Sequence, residues 1–196
     1  MNWLDLTTAA LGLAYIILEY RASLWMWAVG FVMQVLGIVL YYQKGLYADC
    51  GMEFYYLAMT VYGYACWRFG RRKKNDEPAQ AELRITHFPS RLIVPWLLIT
   101  ASVWAAIYAL LVLLTDSTVP LADSFTTALS IVGIWALAHK YVEQWLFWIA
   151  VDVVSCYLYF LKDIPFKGSL YALYVVIAVV GYLRWRRQAS ATATAG

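Results

Sequence analysis

Trp145, Trp148 and Asp152 stand at i, i+3 and i+7 in the apolar run YVEQWLFWIAVDVVSCYLYFL. That spacing puts two indoles and one carboxylate on one side of a helix. The run is long enough to cross a bilayer. A charge near mid-membrane costs roughly 2.5–3.5 kcal/mol even on the lenient insertion scale, so an acid there marks a candidate functional site. Two aromatic faces beside an anion suit a flat organic cation, held by stacking, cation–π attraction and charge. The competing role for Asp152 is a hydrogen bond to a neighbouring helix. A protein ion pair has no partner to draw on, because no Lys or Arg lies inside any apolar run.

Other residues could complete such a site. Gln34 can donate and accept, which suits a heteroaromatic or amide edge; otherwise it is interhelical glue. Glu53 shares a helix face with Asp49 and Tyr56. It is either a second acidic contact or an interhelical polar contact. Trp27 and Trp145 compete with a role as interfacial anchors, and Trp148 is the deeper ring. Trp67 and Trp185, each followed by Arg, read as belt residues. Lys140 with Glu143, and Glu19 with Arg21, read as surface pairs or parts of an inner gate. Gly30, Gly37, Gly63 and Gly181 read as places of close helix approach.

The elements that must position these residues follow from composition. Of 196 residues, 63% are hydrophobic and 14% charged, with 10 Trp and 16 Tyr. A soluble domain of this size has no interior large enough for that much apolar surface. Runs near 20 residues recur, and helices are the way an open chain satisfies its backbone in lipid. Seven spans are predicted: 3–20, 23–42, 46–68, 92–114, 121–139, 141–162 and 167–186. Residues 70–91 make a polar loop, and 188–196 read as a disordered tail.

Charge sets the expected orientation. If WRFGRRKKNDEPAQAELR and RWRRQ face the cytoplasm, twelve of the fifteen Lys and Arg lie inside, leaving Lys44, Lys162 and Lys167 outside. The N-terminus is then external and the C-terminus cytoplasmic, with Asp116 and Asp123 in an external loop. The first span lacks a basic leader and a small-residue cleavage site and is kept as a mature helix. Cys50, Cys66 and Cys156 lie within spans and imply neither disulfides nor a metal site. His87 and His139 sit at the inner surface without partner ligands.

The chain also repeats itself. Residues 27–68 align without gaps to 145–186 at an offset of 118, with eleven identities in 42 positions. Trp27 matches Trp145, Tyr56 matches Tyr174, and Gly63-Tyr64-x-x-Trp67-Arg68 matches Gly181-Tyr182-x-x-Trp185-Arg186. Gln34 pairs with Asp152. Three helices, one connector and three helices give parallel repeats, an arrangement that places substrate at the repeat interface near the midplane. The expected segments are a first triple-helix unit (1–69), the loop (70–91), a connecting helix (92–114) and a second unit (121–187).

The segments QKGLYAD (43–49), YGYACW (62–67), DSFTTALSIVG (123–133) and HKYVEQWLFWIAVDVVS (139–155) resemble the PnuC family of bacterial vitamin transporters, over residues 15–186. The resemblance implies an all-α fold like that of the SWEET carriers and a homotrimer in the inner membrane. It implies facilitated diffusion of a vitamin that a cytoplasmic kinase then traps. In the nicotinamide riboside branch the pattern W-x-x-W-x-x-x-N carries Asn where this chain has Asp152, and an amide tends to stand at Glu53. Acids at both places resemble the thiamine branch (PnuT). The expectation is therefore thiamine uptake, with nicotinamide riboside, also cationic, as the alternative. A non-transporting receptor or scaffold is a second alternative. No phosphate-binding loop, nucleophile–base grouping or dinucleotide fingerprint appears, so no enzyme activity, cofactor or nucleic-acid partner is expected.

Overall fold

The computed structural model describes residues 3–43, 45, 47–70, 83–115, 119–161 and 163–194. Lys44, Asp116, Lys162, most of the polar loop and the side chain of Asp49 lie outside them. Among the described residues there are seven α-helices: α1 (Trp3–Tyr20), α2 (Trp25–Gln43), α3 (Tyr47–Phe69), α4 (Ile93–Leu114), α5 (Pro120–Ala138), α6 (Gln144–Leu161) and α7 (Pro165–Thr194). Each lies within a few residues of an expected span, except at the end of α7. Helix continues there to Thr194, where a disordered tail was expected, because the Gln-Ala-Ser-Ala-Thr run contains strong helix formers and no breaker. Proline opens both α5 and α7, at the position where its missing N–H costs nothing.

Among the described residues, five helical segments are long and apolar enough to cross a membrane: Trp25–Gln43, Ser90–Leu114, Pro120–Ala138, Gln144–Leu161 and Pro165–Ala191. The tyrosines, glycine and acids of α3 lower its hydropathy below that of the other spans. No residue of α4 is buried, and Leu97, Leu98, Leu113 and Leu114 are strongly exposed. Such a helix is at home against lipid, not water.

The chain divides into two compact units, Met1–Arg84 with Leu137–Lys140, and Ile85–Ala136 with Tyr141–Gly196. The connecting helix α4 thus groups with the second unit. In the first, α2 packs on α1 and α3; in the second, α6 packs on α7.

The turns repeat with the helices. Ala22 and Lys140 are left-handed, with φ of 52° and 53°, and so are Gly45 and Asp163, with φ of 70° and 58°. Each pair is 118 residues apart. After α1, Ala22 N–H donates to Glu19 O at 2.8 Å and Ser23 N–H to Leu18 O at 3.0 Å. After α5, Lys140 N–H donates to Leu137 O at 2.9 Å and Tyr141 N–H to Ala136 O at 3.0 Å. These are the paired bonds of a Schellman cap, formed twice without glycine.

Several surface expectations are corrected here. Lys140 is only 3% exposed, its ammonium 4.2 Å from the Trp67 ring centroid, and Glu19 is also 3% exposed. The indole N–H of Trp67 donates to Leu137 O at 3.1 Å. Each histidine, still at the surface, makes a side-chain hydrogen bond. Tyr62 Oη lies 3.3 Å from His139 Nε2. His87 Nδ1 lies 2.8 Å from Glu143 Oε1, while Phe88 N–H donates to Glu143 Oε2 at 2.7 Å. Glu143 therefore ties the end of the loop to the start of α6.

Candidate functional site

Each unit holds an aromatic seam and a polar set, built from equivalent positions. In the first unit the indole of Trp27 lies directly on Gly63 and meets Trp67 edge to face, centroids 5.4 Å apart at 88°. In the second, Trp145 lies on Gly181 and meets Trp185 at 5.7 Å and 89°. A Cβ on Gly181 would stand 2.7 Å from the Trp145 ring. All four indoles are at most 1% exposed. Trp67 and Trp185 are therefore not belt residues. The helices come close enough at glycine for large rings to fill the seam, and edge-to-face contact suits the ring quadrupoles. Trp145, expected to stack on a ligand, and Trp27, expected to line the site, are buried in this packing.

Trp148 is placed differently. It is half-buried and lies over Gly133 of α5, its Cζ2 3.5 Å from where a Cβ would be, and its indole N–H has no hydrogen-bond partner among the described residues. Asp152, one turn further on α6, is 7% exposed. No cation pairs with it among the described residues. Facing it from α7 are Tyr171 and Tyr174, both within electrostatic reach of the carboxylate. Tyr171 stacks on Tyr159 with centroids 5.2 Å apart at 25°, and meets Tyr174 edge-on at 5.6 Å.

In the first unit, Gln34 of α2 keeps a buried Oε1 without a partner among the described residues. Glu53 of α3 lies over Gly37, where a Cβ would stand 2.7 Å from its Cδ. Tyr56 is half-buried beside Tyr55, ring centroids 5.7 Å apart. The offset of 118 relates Gln34 to Asp152, Glu53 to Tyr171, Tyr56 to Tyr174 and Tyr41 to Tyr159. Sequence reasoning missed Tyr159 and Tyr171 as neighbours of the acid, although carrying Glu53 across the repeat leads straight to Tyr171.

Polar side chains set on apolar, span-length helices point to a membrane protein. A family model described as nicotinamide mononucleotide transporter matches residues 2–187. The riboflavin/roseoflavin transporter RibM of Streptomyces davaonensis is 29% identical, over 93% of this chain and 84% of that protein. The nicotinamide riboside transporter PnuC of Escherichia coli is 24% identical, over 94% of this chain and 85% of its own. A crystal structure of the vitamin B3 transporter PnuC superposes with a TM-score of 0.74 at 22% identity, covering 96% of this chain and 82% of that one. The chain belongs to the nicotinamide mononucleotide transporter family, the PnuC family of vitamin transporters. It is a multi-pass membrane transporter and not an enzyme.

Proposed function

We propose that this transporter takes up nicotinamide riboside across the bacterial inner membrane by facilitated diffusion. The arrangement that carries the reading is Trp148 with Asp152 one turn away on α6. The indole offers a stacking face to a pyridinium ring, and the carboxylate balances its charge and accepts from its carboxamide. The relatives named above transport nicotinamide riboside and riboflavin; they lend no support to thiamine, the substrate expected from the two acids. Riboflavin is neutral and gains nothing from the charge of Asp152, so the cationic riboside fits better.

The two seams and matched turns support parallel triple-helix repeats joined by α4, in the 3+1+3 manner. Trp27 and Trp145 back the seams, while Gln34, Glu53 and Tyr56 serve the polar edges of the substrate. The distribution of Lys and Arg supports an external N-terminus and a cytoplasmic C-terminus. Assembly as a homotrimer and trapping by a cytoplasmic kinase complete the proposal.

A thermal-shift and calorimetry panel with nicotinamide riboside, riboflavin and thiamine tests it. Stabilisation by nicotinamide riboside is expected, with accumulation only in vesicles that contain its kinase. Silence toward nicotinamide riboside, with a response to riboflavin or thiamine, overturns the substrate. Binding without passage of label favours a receptor.

A further inference from the structure

Gln144 opens α6, four residues before Trp148 and eight before Asp152. At 3.6 residues per turn the three side chains fall within an arc of about 80°, spread over roughly 12 Å of helix. Gln144 is 0% exposed, and neither its Oε1 nor its Nε2 has a hydrogen-bond partner among the described residues. Trp148, one turn along, has an indole N–H in the same state. A buried amide without partners is costly. That cost is avoidable here. The equivalent position in the first unit holds Met26, also 0% exposed, an apolar side chain of similar length. The same place in the fold thus accepts a thioether, yet α6 keeps an amide in line with the acid and the ring.

We propose that Gln144 is a passage contact for the substrate. When the start of α6 opens, its amide exchanges hydrogen bonds with a carboxamide or hydroxyl group of the substrate. Those groups then have a partner between the Trp148–Asp152 position and the membrane face at which α6 begins. The inference rests on the nicotinamide riboside reading and extends it. A contact made only in transit changes the rate of exchange and leaves equilibrium affinity alone.

The test compares wild type with Gln144→Met, which copies Met26, and Gln144→Asn, which keeps a shorter amide. Melting temperature, affinity for nicotinamide riboside and exchange of labelled nicotinamide riboside into preloaded vesicles are read for each. Gln144→Met is expected to melt higher without substrate, to bind within twofold of wild type and to exchange at least fivefold more slowly. Gln144→Asn is expected to fall between the two in exchange. Exchange at the wild-type rate in Gln144→Met overturns the role. So does a lower melting temperature with affinity and exchange falling in step, which marks a structural amide. Wild type that neither binds nor exchanges nicotinamide riboside overturns the substrate reading itself.

Discussion

Trp148 rests on Gly133, its Cζ2 3.5 Å from the point where a Cβ would stand. The repeat inverts this contact. The positions equivalent to Gly133 and Trp148 are Tyr15 and Gly30, and there the Tyr15 ring lies 3.1 Å from a Cβ built on Gly30. The aromatic of the first unit comes from α1, and that of the second comes from α6. Each ring has an acid one turn along its own helix, Glu19 after Tyr15 on α1 and Asp152 after Trp148 on α6, so the two units set ring and acid on different helices.

Trp148→Ala is expected to weaken nicotinamide riboside binding by about 1–2 kcal/mol, the scale of a desolvated cation–π contact. Trp148→Phe keeps an aromatic face and is expected to recover most of that loss. Titration calorimetry on both variants checks the claim. Equal affinity in wild type and Trp148→Ala would reduce the indole to packing on Gly133.

Asp152→Asn separates stability from recognition. The carboxylate is nearly buried with no cation paired to it among the described residues. Neutralising it relieves desolvation, and the substrate-free protein is expected to gain on the order of 1–3 kcal/mol of stability. Affinity for nicotinamide riboside is expected to fall about tenfold, or ~1.4 kcal/mol, because the amide keeps an acceptor and loses the charge. Asp152→Leu removes both and is expected to lose considerably more. Melting curves with and without substrate read both effects. A less stable Asp152→Asn protein with unchanged affinity would remove the counter-ion role.

The seams make a paired prediction. At Gly181 an added methyl meets the Trp145 ring at 2.7 Å, and overpacking of this kind costs typically 1–3 kcal/mol. Gly181→Ala is therefore expected to lower the melting temperature. Combining it with Trp145→Leu is expected to recover part of the loss, which a double-mutant cycle measures. Gly63→Ala with Trp27→Leu is expected to behave alike. Additive losses in both units would mean that the rings and glycines do not share one seam.

Much of this was legible in the sequence where the signal is periodic. Apolar runs located the helices, and the offset of 118 paired Trp27 with Trp145 and Gln34 with Asp152. Other features leave no local mark. Trp beside Arg reads as an interfacial anchor whether the ring faces lipid or a neighbouring glycine, so the burial of Trp67 and Trp185 required the fold. Left-handed φ at Ala22 and Lys140 is invisible because neither is glycine or asparagine. The tyrosines around Asp152 were hidden because Tyr packs and hydrogen-bonds equally well. The substrate rests on chemistry finer than any run or repeat, and there two acids suggested thiamine where the relatives speak for nicotinamide riboside.

Glu53 can be tested without touching it. Its carboxylate sits over Gly37, where an added Cβ would be 2.7 Å from Cδ and 2.9 Å from Oε1. The obstructing atoms are the end of a flexible side chain, so Gly37→Ala displaces the carboxylate and leaves the helix backbone in place. Stability is expected to change by less than about 1 kcal/mol, well below the overpacking range of a rigid core. If Glu53 serves the polar edge of the substrate, Gly37→Ala is expected to weaken nicotinamide riboside binding in the same direction as Glu53→Gln. The double variant is expected to lose little beyond Glu53→Gln alone, since both act through one carboxylate. Calorimetry on the three variants decides it. Wild-type affinity in Gly37→Ala, with a loss in Glu53→Gln, would show that the position of the carboxylate over Gly37 is not what the substrate reads.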